Sequence, residues 1–253
     1  MSLLSCHNLN VNIAETLVCK SLNLSFNAGV NWAILGMNGC GKTTLLHTLA
    51  GLLLPQAGEI NIDTVNIDNL TRRNVAQQLG LLLQHQEDHF PGTVLEAVLI
   101  GRHPHLKSWQ WETQSDEELV NDTLTLVGLE NFSQRSILTL SGGERQRVAL
   151  ATLLVQQTKI RLLDEPVNHL DIHHQHEVMN ILTTNNNNIA NLFVLHDVNL
   201  AARYCDHALL IYGNGKVLQG PSSEVLTEKN LSELYQHPLH EVSHNNQRWF
   251  IAS

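Results

Sequence analysis

A chain of 253 residues with 43% apolar content can bury a full core, as one domain or as two. Its 24 acidic residues outnumber 15 lysines and arginines, a formal charge of -9, so the basic footprint of a nucleic-acid binder is missing. No apolar run reaches the ~20 residues that span a bilayer, residues 1–8 carry no secretory-signal pattern, and Cys6, Cys19, Cys40 and Cys205 lack the spacing of a disulfide frame or zinc site.

Residues 3–35 read as short strands. Val11 and Ile13 alternate with polar neighbours, as do Leu22, Leu24 and Phe26, and Ala28-Gly29 is a turn. The buried run Trp32-Ala33-Ile34-Leu35 then leads into Gly36-Met37-Asn38-Gly39-Cys40-Gly41-Lys42-Thr43-Thr44, and Leu45, Leu46 and Leu49 follow at helical spacing as far as Gly51. Strand, glycine-rich loop and helix in that order form the context of a phosphate-binding loop. Glycines let successive N–H groups turn toward one point. The helix start adds unpaired N–H groups and a positive dipole end. Lys42 reaches β- and γ-phosphates, and the Thr43 hydroxyl can ligand Mg²⁺. A glycine turn with Lys42 merely solvated is the plainer reading; the flanking strand and helix argue against it. Pro55 and Gly58 then mark a turn, residues 59–63 alternate as a strand, Val65 and Ile67 begin another, and residues 80–84 are a buried strand ending in Gln84.

From Pro91 to Leu140 the pattern turns helical. Thr93 with Glu96 and Ser115 with Glu118 fit capping boxes, each ahead of a 3.6-period apolar set. Residues 101–105 and 109–111 read as the loop between those helices. Leu140-Ser141-Gly142-Gly143-Glu144-Arg145-Gln146 opens another helix, with Ser141 and Glu144 as a third box, running to about Gln157. Two glycines in its first turn leave N–H groups open to an anion. Residues 88–158 are therefore expected to be a helical insertion, flanked by a body of residues 1–87 and 159–253.

Residues 160–163 are a strand ending in two carboxylates. Asp164, beside the glycine loop, is placed to hold Mg²⁺ through water, and a turn at Pro166 lets Glu165 face a γ-phosphate, where it can orient or deprotonate water. A helix follows over residues 173–182, with Asp171 as its N-cap. Its His173, His174 and His176 fit a polar helix face better than a metal site, because no second cluster completes a ligand set. Residues 185–188 are a polar loop, and residues 192–195 a buried strand followed by His196. Residues 208–217 are a hairpin, residues 223–235 two short helices with Thr227 capping the second, and residues 248–251 a last strand. Strand–helix alternation implies a parallel α/β sheet.

Taken in order, the glycine loop with Lys42 and Thr43, the Leu140-to-Glu144 segment, Leu163-Asp164-Glu165-Pro166 and His196 resemble the ATP-binding subunits of ABC transporters, over nearly the whole chain. The resemblance implies an α/β fold: a P-loop NTPase core with a parallel sheet, an N-terminal antiparallel β subdomain and a helical insertion. It implies a homodimer that sandwiches two ATP molecules. Gly36, Asn38, Gly39, Cys40, Gly41, Lys42, Thr43 and Thr44 of one copy would face Ser141, Gly142, Gly143 and Asp171 of the other. Glu165, His196 and Gln84 would be catalytic, with Thr43, Gln84 and Asp164 around Mg²⁺. Residues 101–105, 195–204 and 226–231 resemble the importers of metal chelates (iron siderophores, haem and vitamin B12). In that branch two copies dock under membrane permease subunits on the cytoplasmic face of the cell membrane, and a solute-binding protein delivers the cargo. Residues 85–90 are expected to border the dock, with Trp109 and Trp111 either as contacts or packed within the insertion.

Two residues depart from the family pattern. Val167 stands where threonine is usual, and around Asn12-Ile13 there is no Phe, Tyr or Trp to stack on adenine. The competing reading is a soluble ABC-type ATPase acting on nucleic acid or ribosomes. The acidic balance, the lack of a coiled-coil or zinc module in the insertion and the single cassette argue against it.

Overall fold

The computed structural model describes residues 2–14, 16–84, 91–107, 109–184, 187–245 and 247–253. Strands β1 (Ser2–Ile13), β2 (Thr16–Asn27) and β3 (Asn31–Gly36) lead into helix α1 (Lys42–Leu49), followed by β4 (Ala57–Ile62), β5 (Val65–Asn66), α2 (Arg72–Ala76) and β6 (Leu79–Leu82). Three helices come next: α3 (Val94–Leu99), α4 (Gln114–Leu126) and α5 (Gly142–Val155). The chain then alternates through β7 (Ile160–Asp164), α6 (Ile172–Thr183), β8 (Ala190–Val194), α7 (Val198–Tyr204) and β9 (His207–Ile211). It finishes with β10 (Val217–Pro221), α8 (Ser222–Val225), α9 (Glu228–Tyr235) and the hairpin β11 (Leu239–His244) and β12 (Gln247–Ala252).

The central sheet has the order β10-β9-β3-β8-β7-β6. From β9 to β6 its strands are parallel, and β10 returns antiparallel on β9. From β9 to β6 both faces are largely buried, which is why these strands read as apolar runs. Alternate residues serve opposite faces. Ala33, Leu163 and Phe193 pack toward α5 and α6, whereas Ile34, Leu162 and Val194 pack toward α1 and the second sheet.

That second sheet, β2-β1-β4-β5, is antiparallel. Its first two strands are twelve residues each, longer than the short strands expected. The reason is a series of register shifts between them, with Asn8 and Ser21 at left-handed φ near +50°. Each shift resets the period of two, so one strand looks like several. The strand expected to run through Ile67 stops at Asn66: that side chain accepts the Asp68 N–H at 2.9 Å and turns the chain into a short 3-10 turn. The capping box expected at Ser115 and Glu118 lies instead at Thr113 and Asp116. Asp116 accepts from the Thr113 N–H at 3.0 Å and its hydroxyl at 2.7 Å, and it pairs with Arg102 at 2.9 Å. Those bonds start the helix two residues early. Boxes at Thr93 and Ser141 and caps at Asp171 and Thr227 form as expected.

The turn at residues 101–105 clasps α5 to α2. Arg102 donates to the Val155 carbonyl at 2.8 Å, satisfying an end group of α5. The Pro104 carbonyl accepts from Arg73 at 2.9 Å and Gln77 at 2.7 Å. His105 Nε2 lies 2.8 Å from the Gln156 carbonyl oxygen. Among the described residues no helix is long and apolar enough to cross a membrane.

Gly101 lets this turn touch α5: a Cβ there would lie 2.2 Å from the Thr152 carbonyl oxygen. Gly101→Ala is expected to destabilise the chain by about 1–3 kcal/mol, read as a lower urea midpoint. An unchanged midpoint would show that the turn yields freely.

Candidate active site

Parallel strands end at one edge, and ligands of open α/β sheets bind beyond their carboxyl ends. Here the glycine loop follows β3, His196 follows β8, Asp164 ends β7 with Glu165 next after it, and Gln84 follows β6. A cleft of about 330 Å³ opens at this edge, with Asn38, Gly39, Gly41 and Lys42-Thr43-Thr44 on one side and Gln84, Glu165 and His196 on the other.

The loop is held by backbone geometry. Gly39 and Gly41 adopt φ of +77° and +101°, and a Cβ on Gly41 would lie 2.4 Å from the Val18 side chain. Helix α1 starts at Gly41 with no side-chain cap, so its first N–H groups remain open to an anion. Lys42 is buried, and its Nζ donates to the carbonyls of Gly36 at 2.9 Å and Met37 at 3.1 Å. The loop thus fixes its own cation at the cleft.

Asp164 is fully buried, and among the described residues neither carboxylate oxygen has a hydrogen-bond partner of good geometry. Burial pushes its carboxyl above the ordinary range; the Thr43 hydroxyl opposes this most, the Glu165 charge adds to it, and the charges of His47 and Lys42 lower it. An unpartnered buried carboxylate beside a hydroxyl is an oxygen donor set of the kind that suits Mg²⁺. Among the described residues no group of three or more His, Cys, Asp or Glu side chains is placed to hold a metal ion.

Glu165 turns out of β7 with φ +52°, a left-handed conformation that costs a non-glycine residue on the order of 1–3 kcal/mol. The turn carries its buried carboxylate into the cleft. Oε2 accepts from Gln84 Nε2 at 2.8 Å and from the Asn168 amide, and Oε1 lies 2.5 Å from His196 Nε2. The contact with Asn168 is the one that sequence patterns miss; its local signal is an amide side chain three residues after the glutamate.

The other expected site residues lie elsewhere in the chain. Gly36 contributes its carbonyl to Lys42 and does not line the cleft. Cys40 is buried, and burial pushes its thiol up. Ser141, Gly142 and Gly143 open α5 outside the cleft: Ser141 N–H donates to Glu144 at 2.7 Å, and space around Gly142 is open. Asp171 is exposed, caps α6 through the His174 N–H at 3.0 Å, and is held below the usual carboxylate range by that bond. Val167 is buried in the core. Trp109 and Trp111 are 99% and 84% exposed, so they do not pack within the helices. Residues 85–90, expected to border a dock, fall outside the described residues.

A cation fixed beside open N–H groups, facing a carboxylate with histidine and glutamine partners, is equipped for phosphoryl transfer to water. A model of the ABC transporter family matches residues 19–168. The chain belongs to the ATP-binding subunits of ABC transporters. A petrobactin import ATP-binding protein of Bacillus anthracis is 38% identical over 92% of this chain and 86% of its own. The ferric enterobactin transport ATP-binding protein of Escherichia coli strain K12 is 36% identical over 90% and 84%. Among solved structures, a chain of an inward-facing transporter described as of metal-chelate type superposes with a TM-score of 0.87 at 28% identity, over 100% of this chain and 98% of that one. The protein is thus an ABC transporter ATPase.

Among the described residues Ile13, 37% exposed at the end of β1, is the one apolar side chain lining the nucleotide cleft of this ABC ATPase. Without a stacking ring, base recognition should be weak: ATP and GTP are expected to bind within about tenfold of each other. Ile13→Tyr should tighten ATP by roughly 5- to 150-fold, the value of ~1–3 kcal/mol of base stacking. Titration of both nucleotides tests this. A wild-type preference for ATP above about 100-fold, with no gain from tyrosine, would place adenine recognition elsewhere.

Proposed function

We propose that this ATPase energises import of a metal chelate through a membrane permease. The observation that carries this reading is the match, over about nine-tenths of the chain, to ATP-binding subunits named for petrobactin and ferric enterobactin transport. Siderophore-bound iron is the cargo those names support; haem and cobalamin are the other solutes of the class. The working unit is a homodimer, peripheral on the cytoplasmic face of the cell membrane, under permease subunits supplied by a solute-binding protein. Residues 1–87 and 159–253 form its ATPase core and residues 88–158 its helical subdomain. Exposed Trp109 and Trp111 suit a contact with the permease.

In this mechanism the open N–H groups of α1 and the Lys42 ammonium bind the phosphates and offset charge that develops on them. Asp164, Thr43 and Gln84 would hold Mg²⁺, which when bound supplies charge neutralisation on the phosphates. Glu165 orients the attacking water and accepts its proton. His196, against Glu165 Oε1, keeps that carboxylate turned to the cleft. Ser141, Gly142, Gly143 and Asp171 lie outside their own chain's cleft, which supports a role on the nucleotide of the second copy.

Glu165→Gln should leave ATP binding intact, slow hydrolysis by ~10²–10⁴-fold, and accumulate an ATP-bound dimer on size exclusion. Near-normal turnover would remove Glu165 as the base. For the dimer, Ser141→Arg places bulk and positive charge at a helix N-terminus meant for phosphate. Mixed with Lys42→Ala subunits it should regain ATPase activity that neither has alone, because both defects can fall in one composite site. No recovery in confirmed heterodimers counts against action across the dimer.

A further inference from the structure

Among the described residues the Glu165 carboxylate has three side-chain partners, and they differ in origin. Gln84 and His196 come from the ends of neighbouring strands, β6 and β8. Asn168 comes from the turn that follows Glu165 itself. Its amide Nδ2 donates to Oε2, the oxygen that also accepts from Gln84 at 2.8 Å, and His196 is left with Oε1 at 2.5 Å. The same residue closes the backbone of the turn, its N–H donating to the Glu165 carbonyl at 3.2 Å.

This turn is also fastened to α5. The Pro166 carbonyl accepts from Gln146 of α5 at 3.0 Å. Leu170 lies so near the start of that helix that a Cβ on Gly143 would be 3.3 Å from Leu170 Cδ2. Asn168 therefore stands between the carboxylate at the cleft and the helix start that lies outside it. Glutamate has three side-chain torsions, and the backbone bears mainly on the first of them. Two amide donors on one oxygen select among the rest, and they leave the other oxygen to His196.

We propose that Asn168 is a positioning residue: it fixes the Glu165 carboxylate by its Oε2 and ties that orientation to the start of α5. The proposal rests on the reading of Glu165 as the base. Misplacing a reacting group by about 1 Å costs on the order of 10²-fold in rate. Removing one of two amide donors should cost somewhat less.

The test uses the full chain and steady-state ATPase kinetics. Asn168→Ala should lower kcat by about 10- to 100-fold, with KM for ATP and thermal midpoint near wild type. Asn168→Asp keeps the shape and the turn preference but loses the N–H donor, and should fall as far. Asn168→Ser keeps a donor and should recover part of the loss. A residue acting through Glu165 is not additive with it, so Asn168→Ala should cost nothing further in a Glu165→Gln background. An Asn168→Ala protein with wild-type kcat overturns the proposal, as does an equal loss in both backgrounds or a KM that rises with a falling midpoint. If Asn168→Ala does not fold, Asn168→Asp and Asn168→Ser carry the same comparison. Glu165→Gln on its own separates the two claims: normal turnover there removes the base, and Asn168 then has nothing to position. Slow Glu165→Gln with unaffected Asn168 variants overturns Asn168 alone.

Discussion

The last residue of β7 seals a carboxylate from water, and among the described residues neither oxygen has a partner of good geometry. A buried carboxylate in that state is costly, by several kcal/mol in most settings. The neighbourhood answers only in part. Lys42 and His47, both on α1, lower the cost through their charge, and the Thr43 hydroxyl lowers it more directly. Lys42 is in turn committed to two loop carbonyls. The site therefore keeps a net demand for positive charge next to a loop that offers N–H groups to an anion. A metal-bound phosphate chain meets both demands together, and this is the physical reason that the nucleotide belongs at this edge.

The parallel sheet makes that meeting possible. Residues 84, 164, 165 and 196 are far apart in the chain, but β6, β7 and β8 run in one direction beside β3 and end together. Burial of both sheet faces fixes the register, since a slip of one residue would turn Phe193 and Leu163 to the wrong side. The left-handed backbone at Glu165 is the local cost of redirecting a side chain from the strand into the cleft.

Local features are legible in the sequence. The glycine loop is, because its spacing and flanking elements are contiguous. So are the caps at Thr93, Ser141, Asp171 and Thr227, where one side chain meets a backbone N–H a few residues away. Thr113 is missed because its partner Asp116 is also pinned by Arg102, a contact from another element. The long β1 and β2 are missed because bulges break their period. Gln84 and His196 gain their place only from a family resemblance, since nothing in their spacing brings them to Glu165. Asn168 belongs with Asp171 to a loop that the resemblance matches, but the resemblance gives it no contact with the carboxylate; the amide donor on Glu165 is seen only in the structure.

One comparison bears directly on the sealed carboxylate: the thermal midpoints of wild type and Asp164→Asn, measured without nucleotide, with ATP and EDTA, and with ATP and Mg²⁺. If the unpaired charge is held for a metal-bound phosphate chain, Asp164→Asn should be the more stable protein without nucleotide, and it should lose the extra stabilisation that Mg²⁺ adds to ATP in the wild type. A variant that is less stable without nucleotide, or one that gains as much from Mg²⁺ as the wild type does, would contradict the account.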